Sequence, residues 1–291
     1  MPGIYEIKTR LEGVKSIHNI TYAMQIVTIS RLKRINAQLS VAESALRELV
    51  AGLSWYLGEH PRDRGHFFAP ALTQPNNPLV VLIFSNRGFC GSFNGDLLRG
   101  ARAACAQRGW DWARLEKAVI GKKVPKEVAQ DPKVQWVFQP EKDTMTLSEA
   151  TQLEEKMMAQ FASGRPVVLA YFEFKSIIAQ TVVVKSIFPA DAVDFPNFET
   201  AQPEPEAFFD PTPQTAFTQL VDLYYKLKIR LAVRHSASSE FGQRFLLMKS
   251  AVDNTKDVMD QLSLEMNKER QKAITQEIAE IIATFKALQK K

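Results

Sequence analysis

The residues of this chain that could do chemistry lie in four places, and none forms a catalytic constellation. The first is the turn Ser85-Asn86-Arg87-Gly88-Phe89-Cys90-Gly91-Ser92-Phe93-Asn94, which follows the apolar run Leu79 to Phe84 and leads into a helical segment expected from Asn94 to Gln107. A glycine-bearing turn between strand and helix is where backbone N–H groups cradle phosphates. Here only Gly88-x-x-Gly91 is present, without the further glycine of the dinucleotide pattern or the Lys-Ser/Thr pair of a phosphate loop. The glycines are then read as allowing tight backbone curvature. The second place, Gly121-Lys122-Lys123, follows another short apolar run and could meet a phosphate or stand as a solvated basic turn. The third is the set His18, His60, His66 and His235, scattered with no pair at metal-ligand spacing and no base beside a nucleophile. The fourth, Cys90 and Cys105, has no Cys or His close in sequence, which disfavours a disulfide scaffold and a zinc site. No catalytic, cofactor or metal site is expected, and the chain alone is expected neither to hydrolyse ATP nor to bind it specifically.

The elements around these residues are more informative. Ile4, Ile7, Leu11, Val14, Ile17, Ile20, Met24 and Val27 recur every three or four positions, and the stripe resumes at Ile35, Leu39, Ala42, Leu46, Leu49, Leu53 and Tyr56. With no proline between Pro2 and Pro61 this predicts one helix, a rod of roughly 85 Å, in the length range of coiled coils. The successive threes at Val14, Ile17 and Ile20 predict a stammer that overwinds the supercoil locally. Phe241, Phe245, Met248, Val252, Thr255, Met259, Leu262 and Met266 alternate by four and three, the seam of a second coiled-coil helix running from about Pro213 to Leu288. Each rod joins the intervening chain by its inner end, so the two must pair antiparallel. The second rod is then longer, and its overhang, with Ile274, Ile278, Ile281, Ile282, Phe285 and Leu288, has no intramolecular cover. An uncovered apolar tip predicts a socket on another protein.

Between the rods the pattern turns to α/β. Strands are expected at Leu79 to Phe84, Ala118 to Gly121, Val134 to Phe138, Val167 to Phe174 and Thr181 to Phe188, the last two as a hairpin, with a further helix from Ser148 to Ala162. The fold class is therefore α/β: a long antiparallel two-helix coiled coil built from the N- and C-terminal segments, plus a central Rossmann-like domain. Expected boundaries are 1–58 for the first helix, 59–78 for a linker, 79–188 for the central domain, 189–212 for an acidic Pro-rich linker and 213–291 for the last helix. Of 291 residues, 37 are Lys or Arg and 32 Asp or Glu; the excess of +5 is dispersed over helices and central domain, which argues against nucleic acid. No apolar run is long enough to span a membrane, so direct membrane insertion is not expected. The amino terminus lacks the layout of a secretory or transit peptide, so a bacterial cytoplasmic location is the default expectation.

Architecture and residues together resemble the γ subunit, the central rotor shaft, of F-type ATP synthases. Ile7-Lys8-x-Arg10-Leu11-x-x-Val14-Lys15-Ser16 with Ile20-Thr21-x-Ala23-Met24-x-x-Val27 resembles that family's first helix, and Arg31-Leu32-x-Arg34 its basic patch. Arg87-Gly88-Phe89-Cys90-Gly91-x-Phe93-Asn94 is similar to its central turn, and Ser239-Glu240 with Asp253-Asn254-Thr255 to its last helix. The most specific match is Asn267-Lys268-x-Arg270-Gln271-x-Ala273-Ile274-Thr275-Gln276-Glu277-Ile278-x-Glu280-Ile281. Tyr22, Gln25 and Asn86 stand where the family often carries charge, and Arg230 to His235 is unusually basic.

The resemblance implies a central stalk that transmits torque between a membrane ring of c subunits and a catalytic head of α and β subunits, with the ε subunit at its foot. It implies no chemistry in the chain itself, no cofactor and no metal. It implies partner-binding roles for Met24, Arg87, Asn94, Arg270, Gln271, Thr275, Ile278, Ile282 and Phe285, with Arg270 and Gln271 against a loop of a β subunit. It implies ion transport coupled to ATP synthesis, peripherally at the cytoplasmic face of the bacterial plasma membrane. The alternatives are the shaft of a paralogous rotary ATPase, a nucleotide-dependent α/β enzyme with helical arms, and a free-standing coiled-coil scaffold.

Overall fold

The computed structural model describes residues 3–63, 78–141, 145–162, 165–191, 194–195 and 212–289, so most of the expected linkers 59–78 and 189–212 lies outside the described residues. Helix α1 (Ile4–Glu59) is followed by β1 (Leu79–Ile83), α2 (Phe93–Gln107), β2 (Lys117–Ile120), the short α3 (Lys126–Ala129), β3 (Val134–Phe138), α4 (Leu147–Ala162), β4 (Val167–Phe174), β5 (Gln180–Phe188) and α5 (Pro213–Gln289). The chain packs as two compact units, one of residues 30–244 and one of residues 1–29 with 245–291. Both long helices contribute to both units.

In the unit of residues 30–244 the sheet order is β3-β2-β1-β4-β5, parallel except for the antiparallel β4–β5 pair. The inner strands β1 and β4 read as apolar runs because both faces of the sheet are covered there, whereas the edge strands β3 and β5 keep exposed positions. Alternation assigns the faces: Val80, Leu82, Val168, Ala170 and Phe172 pack with Phe93, Leu97, Ala101 and Cys105 of α2. Leu79, Val81, Ile83, Val167 and Leu169 face Leu53 and Leu57 of α1, Leu153 and Met157 of α4, and Tyr224, Tyr225 and Ile229 of α5. Full burial of one such side chain contributes about 1.5–3 kcal/mol, so the inner ends of the long helices are part of the core of this unit. They run antiparallel here: Tyr56 stacks on Phe217 at 4.5 Å between ring centroids, while Glu43 meets His235 at 3.4 Å.

Local chemistry fixes the element ends. Helix α4 starts one residue before the expected Ser148, because Thr146 and Glu149 form a reciprocal cap: the Thr146 hydroxyl oxygen accepts the Glu149 N–H, and the Glu149 carboxylate accepts the Thr146 N–H. Gly121 ends β2 at φ 125°, where an added Cβ would lie 2.5 Å from the Phe84 carbonyl oxygen, so only glycine fits. Lys117, fully buried, donates to the carbonyls of Trp112 and Leu115 at 2.8 and 3.0 Å and pairs with Asp131 at 3.0 Å.

In the other unit the sheltered positions of α5 include Met248, Val252, Thr255, Met259, Leu262 and Met266, as the sequence predicts, flanked by half-buried Ala251, Val258 and Ser263. The sheltered positions of α1 require a correction. They are Ile7, Leu11, Val14, His18, Thr21, Gln25 and Thr28, spaced 4, 3, 4, 3, 4 and 3, and the same alternation continues through Leu32, Ile35, Leu39, Ala42, Leu46, Leu49, Leu53 and Tyr56. There is no stammer. Ile17, Ile20 and Val27, expected inside, are 53%, 60% and 50% exposed. The heptad is kept by polar residues that can tolerate it: the Thr21 hydroxyl donates to the Ile17 carbonyl at 3.0 Å, the Thr28 hydroxyl to the Met24 carbonyl at 2.6 Å, and His18 Nδ1 meets Thr255 Oγ1 at 3.0 Å.

Candidate functional site

The turn after β1 is held from three sides. Asn94 accepts the Ser85 N–H at 2.9 Å and donates through its amide nitrogen to Ser85 Oγ and the Lys123 carbonyl, both at 2.9 Å. From α5, the Glu240 carboxylate accepts the N–H groups of Asn86 at 3.0 Å and Arg87 at 3.3 Å. Arg244, one helical turn on, donates to Glu240 and to the carbonyls of Gly88 and Arg87. Glu240 and Arg244 are 5% and 4% exposed, so this is a buried ion pair clamping the turn to α5. The N–H groups that a phosphate would need are thus already occupied by a carboxylate of the same chain. Cys90 is buried, and desolvation pushes its thiol above the ordinary value, which suits packing rather than nucleophilic attack.

This geometry sorts the expected site residues of the turn. The carboxamide of Asn94 is committed to holding Ser85 and Lys123. Arg87 is exposed at the tip, beside Phe89, which stands 71% exposed at φ 59°. A phenylalanine in the left-handed region is sterically disfavoured and persists only where its surroundings determine it, here the Glu240–Arg244 clamp. Spacing alone reveals the Glu240–Arg244 pair, since a Glu and an Arg four apart on a helix face one another, but not the turn that the pair holds.

In the unit of residues 1–29 and 245–291, Met24 is half-buried at the edge of the seam, while Arg270 and Gln271 are exposed, and Arg270 has no hydrogen bond or ion pair among the described residues. The Thr275 hydroxyl donates to the Gln271 carbonyl at 2.9 Å, so its donor is used within the helix. Beyond Ala273 every described side chain of α5 is exposed, including Ile274, Ile278, Ile281, Ile282 and Phe285 at 46–68%. The side chain of Leu288 lies outside the described residues. A second apolar face, absent from the expected site, is formed on α1 by Ile17, Ile20 and Val27 at 50–60% exposure, with Tyr22 and Ile26 exposed on the opposite flank of the seam. The sequence signal for it was present but was assigned to the seam.

Among the described residues no group of three or more His, Cys, Asp or Glu side chains is placed to hold a metal ion, and no helix is long and apolar enough to cross a membrane. What the geometry offers is surface: a rigid turn with an exposed Arg and Phe, a polar collar, and two apolar helix faces.

Comparison with known proteins gives a consistent result. A family model described as ATP synthase matches residues 3–288. The ATP synthase gamma chain of Sorangium cellulosum is 30% identical over 326 residues, covering 99% of this chain and 99% of that one. That of Geotalea daltonii is 27% identical over 287 residues, covering 97% and 98%. Among solved structures, a chain of the Euglena gracilis mitochondrial ATP synthase complex of OSCP, F1 and c-ring superposes with a TM-score of 0.65 at 18% identity, covering 98% of this chain and 94% of that one. A chain of the rotor of the same enzyme superposes at 0.59.

Proposed function

The chain belongs to the ATP synthase gamma-chain family, and from that premise we propose how it works as the central stalk of an F-type ATP synthase. The paired helices act as an axle in the hexameric head of α and β subunits. The α/β unit serves as the foot that meets the ε subunit and the ring of c subunits, peripherally at the cytoplasmic face of the plasma membrane. Because the axle is not threefold symmetric, each orientation stabilises a different conformation in each catalytic site, so rotation driven by ion flow is linked to ATP formation by population shift. The chain carries torque and makes no bond.

The observation that carries this reading is the end of the seam. Partner cover on α5 stops at Ala273, yet the helix continues with five large apolar side chains exposed. Left in water these would be an aggregation liability, whereas a protein sleeve would bury them. Just below, Arg270 and Gln271 present unused donors, suited to a carboxylate-bearing loop of a β subunit. Met24 and the outward face of Ile17, Ile20 and Val27 supply the matching apolar contacts on α1, and Arg87 with Phe89 a contact from the foot. Asn94 acts by holding that turn.

The test is a reconstituted complex carrying Arg270→Glu, or Ile278→Asp with Ile282→Asp. Removing one partner of an interfacial ion pair costs about 2–5 kcal/mol, so ATP turnover falls by at least about tenfold while assembly, followed by gel filtration, survives. Lys126→Glu, exposed in the α/β unit, changes little. Equal effects from Arg270→Glu and Lys126→Glu would refute the assignment of the collar.

A further inference from the structure

The α/β unit contains a cavity of about 190 Å³ at the carboxyl ends of β1 and β2, which the rotor role leaves without a purpose. Open α/β sheets bind ligands in the crevice beyond the carboxyl ends of their strands, and β1, from which the strand order runs both ways, lines this cavity with its carboxyl end. One wall is apolar, with Ile83 and Ile120 from the strand ends, Leu153 from α4, and Ile229 and Val233 from α5, while Gln38, Asn86, Thr146 and Ser236 add polar groups beside the charged ones. A cavity of roughly 150 Å³ is large enough for a benzene ring.

The charges around it do not balance. Glu154, 1% exposed, accepts from both Nε and Nη2 of Arg230, which neutralises that pair. Glu240 is matched by Arg244. Arg234, which also lines the cavity, is left over: it is half-buried and has no hydrogen bond or ion pair among the described residues. Burial, then the neighbouring Arg230, pulls its pKa down, and Glu154, already paired with Arg230, pulls it back only in part. A guanidinium offers a fork of donors matched to a carboxylate.

We propose that this cavity is a binding site for a small organic anion, a single carboxylate against Arg234 on an apolar body about the size of a benzene ring. The apolar wall and the guanidinium left without an ion pair specify the two halves of that ligand, with Glu154 and Glu240 each held by another arginine. A nucleotide is far too large for the space, so the site is separate from any nucleotide chemistry of the head.

The probe is 4-fluorobenzoate, titrated into the full chain and followed by fluorine NMR, with 4-fluorobenzamide as the uncharged isostere and acetate and inorganic phosphate as competitors. Saturable binding at one site is expected, weaker by at least about tenfold for the amide and for Arg234→Gln, and displaced by benzoate but not by acetate or phosphate at equal concentration. Ala150→Leu, which narrows the cavity while leaving Arg234 in place, is expected to abolish binding, with circular dichroism confirming that each variant is folded. No saturable binding up to about 10 mM, amide and acid binding within about twofold of each other, or displacement by phosphate as effective as by benzoate would overturn the proposal.

Discussion

Removing the guanidinium of Arg244 is the perturbation that tests most directly how the foot grips the long helix. In Arg244→Met the methionine keeps most of the apolar stem, but Glu240 remains 5% exposed with its cation gone and only the N–H groups of Asn86 and Arg87 to stabilise it. Breaking a buried pair by deleting one partner costs about 3–5 kcal/mol. For a cooperative unit of 150–250 residues each kcal/mol lowers the melting temperature by about 2–4 °C, so a fall of roughly 6–20 °C is expected by calorimetry of the full chain. Adding Glu240→Gln removes the stranded charge while leaving an acceptor for the turn, so the double variant should recover a good part of the loss. Exchange of the Asn86 and Arg87 amide protons should accelerate in the single variant more than exchange in β1, because opening the turn does not require opening the sheet. A shift under about 2 °C for Arg244→Met, or strict additivity in the double variant, would refute the clamp as an energetic unit.

Gly121→Ala should destabilise the same unit by about 1–3 kcal/mol or more in urea titration, since the new Cβ would lie 2.5 Å from the Phe84 carbonyl oxygen at a φ of 125°. His235, buried beside Tyr171 and facing Glu43, Glu173 and Lys185, has its pKa lowered chiefly by desolvation from the ordinary 6.5, although the two carboxylates pull it back. Its unfolded form binds the proton more readily, so its contribution to stability is present above about pH 6.5 and is lost as pH falls through the lower folded value; His235→Gln should flatten that slope. Val252→Asp places a charge in the seam between α1 and α5, costs about 2 kcal/mol, and should lower the temperature at which far-ultraviolet circular dichroism loses helix.

The elements were legible where a single physical demand acted on each residue. β1 and most of β4 are buried on both faces, so Leu79 to Ile83 and Val167 to Phe172 show as apolar runs, and their expected bounds agree with the structure within a residue. The seam of α5 showed because Met248, Val252, Met259 and Leu262 do nothing but pack. Helix α3, four residues long, has too few positions for any period to register. The clamp was invisible as a unit because its partners, Asn86 with Arg87 and Glu240 with Arg244, are joined only by the fold, more than 150 positions apart. The same holds for the cavity, whose unmatched Arg234 is defined by which carboxylates its neighbours have already taken.

The stripe on α1 misled for a different reason. Hydrophobicity marks inward packing and outward docking alike, so Ile17, Ile20 and Val27 look like core by type alone. What separates the two uses is phase. Ile7 and Leu11 set a heptad at one end of the helix, and Leu32, Ile35 and Leu39 set the same heptad further along. Extending it through the gap assigns the inner positions to His18, Thr21, Gln25 and Thr28, and the apparent stammer vanishes. Threonine hydroxyls that bond to the preceding turn can occupy such positions without leaving a stranded donor. The isoleucines and Val27 that fall out of phase then need another explanation, and a surface turning inside a protein sleeve is the one consistent with the bare end of α5.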